Sequence, residues 1–516
     1  MNDFTLSDIY IGCADGGKEA ASTKYDFTDL FYTGNSKYEE IEKSNNYIIS
    51  GRKGTGKTIL AKYLEKMQVN KNIFLKSKYI NLTDGIKQHE FIERSYGEIK
   101  DDEYMLFPKY YVLKVFSEVV LKDKNKIGFF KYLKYGEGNL IAKFIDFINY
   151  KNYKKKLKSF TSERYPDGNY IGNSYETEVV TESEAMSTLG NDMANVKGGY
   201  REQQSKKQHS FVKKFSSVLD EYEKYVLSCM KVCQIMLIFD DIDDIKIYIK
   251  EQEKVKKFLI GFIKTVDKIN LKISELNKNN KCIIIIRDDI LDSLNALDSN
   301  LNKIIADSSV NLDWIGNNQT SMLIDMICHK IKKSNKKFSE LDEKDILKLF
   351  IPIKGGKDML SKIIERGFGR PRDVILYLST IINNNKKEKN ITFKMLKDAG
   401  AEYSNKFWNE IKNELSFYHS ETYIDEILKL LSSMGKPIFK YSELENYFES
   451  HRDNYKEIDD VRSLVDELYK FGIIGNQTQK DGVSKYFFYY RKDGKLYFDI
   501  DENVSIHYGL RKIFNI

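Results

Sequence analysis

Eight residues in one run, Gly51-Arg52-Lys53-Gly54-Thr55-Gly56-Lys57-Thr58, combine three glycines with two lysines and two threonines. Glycine lets successive backbone N–H groups turn inward and close on an anion such as phosphate. The spacing G-x-x-x-x-G-K-T puts Lys57 where it reaches the β- and γ-phosphates of a nucleotide. It also puts the Thr58 hydroxyl where it ligates Mg²⁺. Ile59, Leu60, Tyr63, Leu64 and Met67 follow at helical spacing. A helix N-terminus, with free N–H groups and a positive dipole end, therefore opens at the loop. The run reads as a cradle for ATP and Mg²⁺; a glycine-rich turn before a surface helix is the plain alternative.

Such a site needs carboxylates. Residues 233–244, CQIMLIFDDIDD, form an apolar run that ends in acids. Asp240 is the expected partner of Thr58 at Mg²⁺. Asp241 is placed to orient or deprotonate the attacking water, a role worth about 10²–10⁴ in rate. Asp243 and Asp244 either cluster at a helix N-terminus or, for Asp243, share the base role. A third apolar run, Cys282 to Ile286, ends in Arg287, which can sit beside a γ-phosphate or simply leave the core. In GFGRPRDVILYL, Gly367 to Leu378, Gly369 and Pro371 break one helix while Arg370, Arg372 and Asp373 begin the next. An arginine at a helix start opposes the dipole. A γ-phosphate near Arg372 answers that problem; a capping turn with surface arginines is the alternative.

The elements that must hold these groups are legible as a pattern. Tyr47 to Ile49 is a short apolar run before the loop, and Tyr79 to Leu82 and Val310 to Leu312 are further strand candidates. Between strands, Glu253 to Ile269 gathers Val255, Phe258, Leu259, Phe262 and Ile263 on one helical face. Strands alternating with helices predict a parallel sheet with ligands at its carboxyl edge. The glycine loop, Asp240 and Arg287 all fall on that edge.

The order GRKGTGKT, LIFDDIDD, IIIIRDD and GRPRD resembles the AAA+/STAND group of P-loop ATPases. It is most similar to bacterial stand-alone ATPases with a GRKGTGKT loop, an RDDI strand end and a GRPRD lid motif. The resemblance spans about residues 30–415. It implies a P-loop α/β sheet of order 5-1-4-3-2 under a helical lid. It also implies that Arg287 and Arg372 act as the two phosphate sensors and that Gly369-Arg370-Pro371 is the lid turn, with Arg370 near the nucleotide. Asp241 stands where such proteins more often carry Glu, which implies slow hydrolysis. No arginine finger is evident, so a ring is not implied, and a homo-oligomer is left open.

The 516 residues predict several domains: a lead-in over 1–40, a nucleotide-binding domain over 41–318, a helical lid over 319–415 and a winged-helix-like domain over 416–516. A helical insertion is expected at about 98–230. Its polar stretch 159–208 reads as a mobile excursion or as decoration. In the tail, three helices precede an expected hairpin, Lys485 to Arg491 with Lys495 to Ile500, turning at Asp493-Gly494. The third tail helix carries Asp459, Asp460, Asp466 and Glu467 against Arg462 and Lys470, and phosphates repel that balance. A protein partner or effector chain is therefore favoured over nucleic acid. The net charge of +7 is small for this length. The run YKNYKKKLK, Tyr150 to Lys158, and the basic residues near Arg491 keep a nucleic-acid-stimulated motor or loader as the alternative.

Cys13, Cys229, Cys233, Cys282 and Cys328 form no C-x-x-C motif and point to a reducing compartment. The first residues lack a signal-peptide pattern and no run is long enough to span a bilayer. A cytoplasmic location is expected. The resemblance extends the expectation to a nucleotide-driven switch in bacterial anti-phage defence.

Overall fold

Four consecutive isoleucines, Ile283 to Ile286, are at most 1% exposed, and burying such a side chain is worth about 1.5–3 kcal/mol. They lie in β4 of a five-stranded sheet. Its strands are β1 (Ile48–Ser50), β2 (Leu75–Asn81), β3 (Gln234–Asp240), β4 (Lys281–Ile286) and β5 (Ser309–Asn311), in the order β2-β3-β4-β1-β5. Ile49 is flanked in parallel register by Ile285 and Val310. Leu237 pairs in parallel with Cys282. Strands covered on both faces need continuous apolar runs rather than alternation, and all seven residues of β3 are buried. The sheet has the strand order expected from the resemblance. β2 begins at Leu75, earlier than the expected Tyr79, because the lysines of its Leu-Lys-Ser-Lys start mask an apolar signal.

The structure, a computed structural model, describes residues 4–43, 45–71, 75–81, 103–122, 129–136, 138–162, 169–174, 209–242, 252–277, 279–314, 321–353, 358–480, 482–491 and 495–516. The chain divides into two units. One comprises residues 1–83, 236–260 and 281–516, the other residues 84–235 and 261–280.

In the first unit the helix Lys57–Lys71 leaves the glycine loop and packs Leu60, Ala61 and Leu64 against Ile49, Ile283, Ile285 and Val310. Helices Ser321–Ser334, Met359–Ile364, Pro371–Asn384 and Gly400–Leu415 follow the sheet. Pro371 occupies the first position of its helix, where its missing N–H costs nothing and its fixed φ favours entry.

The C-terminal part contains helices Glu421–Ser433, Tyr441–Ser450 and Val461–Lys470. With them are β6 (Ile438–Lys440), β7 (Ile474–Lys480), β8 (Val483–Phe487) and β9 (Asn503–Ile506), in the sheet order β8-β7-β9-β6. The hairpin is β7 with β8, Lys480 opposite Val483. It lies upstream of the one expected from Asp493-Gly494. Gly482, at φ +75°, supplies the left-handed residue for the observed turn. Residues 492–494 lie outside the described residues.

The second unit is built on helices Glu103–Lys122, Phe129–Tyr135, Leu140–Ser162 and Phe215–Met230. Glu223 receives Lys109 at 3.0 Å and Lys272 at 2.7 Å. Strands Asn169–Ser174 and His209–Lys214 pair antiparallel, within and just beyond the stretch read as an irregular excursion. Residues 163–168 and 175–208 lie outside the described residues. Among the described residues no helix is long and apolar enough to cross a membrane.

Candidate functional site

The glycine loop turns because its glycines take backbone angles closed to other residues. Gly54 and Gly56 sit at φ +87° and +94°. A Cβ on Gly54 would also come within 3.0 Å of the Arg372 Cβ. The loop is tied at three points. Thr55 donates its hydroxyl to the Arg52 carbonyl at 2.9 Å. The Trp314 indole N–H donates to the Thr55 carbonyl at 2.8 Å. The Arg372 backbone N–H donates to the Gly54 carbonyl at 3.2 Å. Lys57 Nζ lies inside the turn, donating to the carbonyls of Gly51 (2.6 Å) and Arg52 (3.0 Å).

Beside the loop the carboxyl ends of β2 and β3 form an acidic edge. Thr58 Oγ1 donates to Asp240 Oδ2 at 2.7 Å, and the Tyr79 hydroxyl donates to the same oxygen at 2.6 Å. Asp240 is 3% exposed. Burial, and then the negative charge of Asp240, push the Tyr79 phenol well above its ordinary value, so Tyr79 stays a donor. Asp241 follows at φ +55°, an unusual conformation for a residue other than glycine. Its carboxylate accepts from Asn81 Nδ2 at 2.7 Å. Asp243 and Asp244 lie outside the described residues.

The arginines form a cationic edge, with Arg287 directly after β4, the strand beside β3. Arg287, 7% exposed, caps the helix Asp288–Leu297 and makes a fork to Asp289 at 3.0 and 2.5 Å. The Tyr418 hydroxyl donates to the same Asp289 at 3.0 Å. Arg372 donates to the Ala14 carbonyl at 3.0 Å and to Glu410 at 2.6 Å. The anion that its place at a helix start calls for is thus supplied by Glu410. Arg370 is buried and does not line the loop cavity, although its Nε would lie 3.5 Å from a Cβ built on Gly54. It holds Asp373 at 2.9 and 3.0 Å and Glu414 at 2.7 Å. Burial alone raises Glu414, but Arg370, then Arg52 and Arg287, outweigh it and hold that carboxyl at about 2. Arg52 reaches the C-terminal part, with its guanidinium 4.8 Å from the Phe368 ring and 5.8 Å from the Tyr490 ring. Its Nη2 donates to the Phe471 carbonyl at 3.4 Å, while the buried Nη1 has no hydrogen-bond partner among the described residues.

A cavity of about 200 Å³ opens over the loop. Lys53 to Thr58, Asp240, Asp241, Arg287 and Arg372 line it; Arg370 does not. Cys13, Ala14, Tyr32, Trp314, Met326 and Ile375 give it an apolar end. Glu19 and Lys330, 1% and 5% exposed, form a buried ion pair in its wall, and the Cys13 N–H donates to Glu19 at 2.8 Å. The cavity therefore has an acidic corner with a hydroxyl, the backbone of the glycine loop, five basic side chains (Lys53, Lys57, Arg287, Lys330 and Arg372) and an apolar end. That donor set suits the oxygens of a magnesium-bound triphosphate and the flat ring of a base.

Sequence reasoning did not assign roles to Tyr79, Asn81, Trp314, the Cys13–Glu19 segment, Lys330 or Glu410. Tyr79 and Asn81 alternate on one strand, so knowing that β2 lies beside β3 would have turned both toward the acids. The lead-in carried only the weak signal Asp15-Gly16-Gly17, which proves to be an N-cap: Asp15 accepts from the Gly17 N–H at 2.8 Å.

Comparison with known proteins adds two findings. Residues 321–412 match the model of the FunZ-associated C-terminal helical domain. Among solved structures, the chain is similar to the ORC1 protein of Aeropyrum pernix in complex with DNA. The TM-score is 0.37 at 11% sequence identity, covering 95% of this chain and 94% of that one. No curated protein matches the sequence at a significant level.

Proposed function

We propose that this protein is an ATP-binding, slowly hydrolysing molecular switch whose C-terminal part reports the state of the phosphate loop to a protein partner. The observation that carries this reading is Arg52. It belongs to the loop, yet its guanidinium is spent on Phe368, Tyr490 and the Phe471 carbonyl. Phe471 caps the last helix of a three-helix, four-stranded domain of winged-helix type. A ligand that draws loop N–H groups and Lys57 onto its phosphates must adjust the backbone on which Arg52 sits, and with it the grip on that domain.

The other residues take matching roles. Thr58 and Asp240 would hold Mg²⁺, which neutralises charge on the phosphates when bound. Lys57 would exchange its two loop carbonyls for phosphate oxygens. Asp241 would orient water once Asn81 releases it; in the observed arrangement Asn81 holds it, which suits a switch with slow turnover. Arg287 would leave Asp289 for the γ-phosphate and so change the charge around the carboxylate to which Tyr418 donates; Tyr418 lies in sequence between the lid helix Gly400–Leu415 and the C-terminal helices. Arg372 joins the loop to the lid. The resemblance to bacterial stand-alone ATPases supports a role in anti-phage defence.

The test is Asp241→Asn. Calorimetry should show Mg-ATP binding within a few-fold of the wild type, while phosphate release falls about 10²–10⁴-fold. Unchanged turnover would remove Asp241 from the chemistry. No uptake of ATP or GTP by folded wild-type protein would overturn the whole reading.

A further inference from the structure

In the second unit, helix Leu140–Ser162 exposes large apolar side chains. Leu140, Ile141, Phe144, Ile145 and Ile148 are 68, 73, 49, 51 and 43% exposed. Their spacing puts them in one stripe along the first turns. Phe130, 83% exposed on helix Phe129–Tyr135, extends the stripe sideways: its neighbour Phe129 packs against both Phe130 and Phe144, with ring centroids 5.6 and 5.7 Å apart. At about 150–250 Å² for a whole side chain of this size, the six present on the order of 700 Å². The largest apolar patch on a typical monomer is about 300–600 Å². A standard interface covers about 800 Å² on each partner.

We infer that this stripe is the contact between two copies of the chain, related by a two-fold axis that crosses near Phe144 and Ile145. The area fits one partner's share of a standard interface. The charge layout fixes the orientation. Beyond Ile148 the same helix turns cationic, with Lys151, Lys155, Lys156 and Lys158 exposed. A parallel pair would lay these lysines side by side. An antiparallel pair crossing at Ile145 carries the two Lys155 sites to opposite ends, about 30 Å apart at 1.5 Å per residue, well beyond the Debye length of about 8–10 Å. The lysines are also partly engaged at home. Lys151, Lys154 and Lys156 lie 5.2, 5.6 and 5.1 Å from the rings of Phe147, Tyr150 and Tyr225. That arrangement favours an apolar self-contact over an acidic partner or an anionic lipid surface, either of which would draw on both halves of the helix.

Sedimentation of the full chain between about 1 and 50 μM tests the inference. A reversible monomer–dimer equilibrium is expected, shifted at least about 100-fold toward monomer by the double variant Phe144→Glu, Ile145→Glu, with unchanged circular dichroism. Because a charge-bearing variant can disturb the packing of helices Phe129–Tyr135 and Leu140–Ser162, single cysteines give a second reading. Ile145→Cys, next to the axis, should cross-link between copies with a short bismaleimide, whereas Lys155→Cys and the wild type should not. A wild type that stays monomeric to 50 μM would overturn the inference. So would a dimer that survives the double variant, equal cross-linking at positions 145 and 155, or a monomer that floats with phosphatidylserine vesicles.

Discussion

The two edges of the loop cavity differ in how their charges are used. On the acidic edge, Thr58 and Tyr79 donate to Asp240, and Asn81 donates to Asp241, each through a neutral group. Such bonds are readily exchanged for a metal and its waters. On the cationic edge the two cavity-lining arginines meet full carboxylates, Arg287 with Asp289 and Arg372 with Glu410, while outside the lining Arg370 holds Asp373 and Glu414 and Arg52 meets Phe471 and two rings. One edge offers bonds that a ligand can replace; the other is engaged with the helix Gly400–Leu415 and the C-terminal part. In the proposed reading, a triphosphate that recruits the second edge would have to compete with contacts that fix tertiary structure, and this competition would make the site a switch.

That contrast can be broken most forcefully at Arg370. Removing it leaves two carboxylates buried without a cation, a change that costs about 3–5 kcal/mol. Arg370→Ala should therefore lower the calorimetric melting temperature by several degrees, while Arg372→Ala, whose partner Glu410 is only partly buried, should barely move it. Equal losses would erase the distinction between structural and cavity-facing arginines. Next in size is Lys57→Ala. Each charge-assisted bond to phosphate is worth roughly 1.5–3 kcal/mol, so Kd for Mg-ATP should rise about 10–100-fold per bond by calorimetry. Melting in the absence of nucleotide should stay nearly unchanged.

A smaller effect is expected from Arg52→Ala, since a cation–π contact contributes about 0.5–2 kcal/mol. Hydrogen exchange at Phe471 to Ile474 should speed up without ligand, and added Mg-ATP should have less further effect there than in the wild type. Identical exchange in the two proteins would uncouple the loop from the C-terminal domain.

The smallest effect is the pH response. His507 is buried among Phe368, Phe407, Phe488 and Tyr490. The Gly509 N–H donates to its Nδ1, which places the ring proton on Nε2, 3.0 Å from the Tyr490 hydroxyl. Burial first, then nearby arginines, push its pKa well below the ordinary 6.5. Below 6.5 the unfolded chain takes up a proton that the folded chain refuses. Stability should be level with respect to this group above about pH 6.5 and decline as pH falls from there, as read by denaturant midpoints. Glu414, held at about 2 against an ordinary 4.5, adds a second decline only below about pH 4.5. His507→Phe should flatten the first decline and leave the second.

The acidic edge was legible in sequence because its parts are local. A glycine loop needs its residues in one run, and a buried strand must be apolar until it ends in Asp240. The cationic edge was legible only as residue types. That Arg370 faces Glu414, or that Arg372 meets Glu410 and Ala14, depends on where the helix Gly400–Leu415 and the lead-in come to rest, and no spacing along the chain encodes that. The hairpin was misplaced for a related reason. Asp493-Gly494 is the stronger local turn signal, yet β7 also pairs with β9, Val504 opposite Asn476, and that longer-range pairing sets which residues are free to turn.

One contact described above gives the protein its own optical gauge. The chain has two tryptophans. Trp408 is packed against Phe514, remote in sequence from the loop. Trp314 has its indole N–H on the loop carbonyl of Thr55 and its ring in the cavity wall. Emission from an indole depends on the polarity and hydrogen bonding around that N–H, so occupancy of the loop should be readable as a change in intrinsic fluorescence, abolished by Trp314→Phe, without a dye or a label.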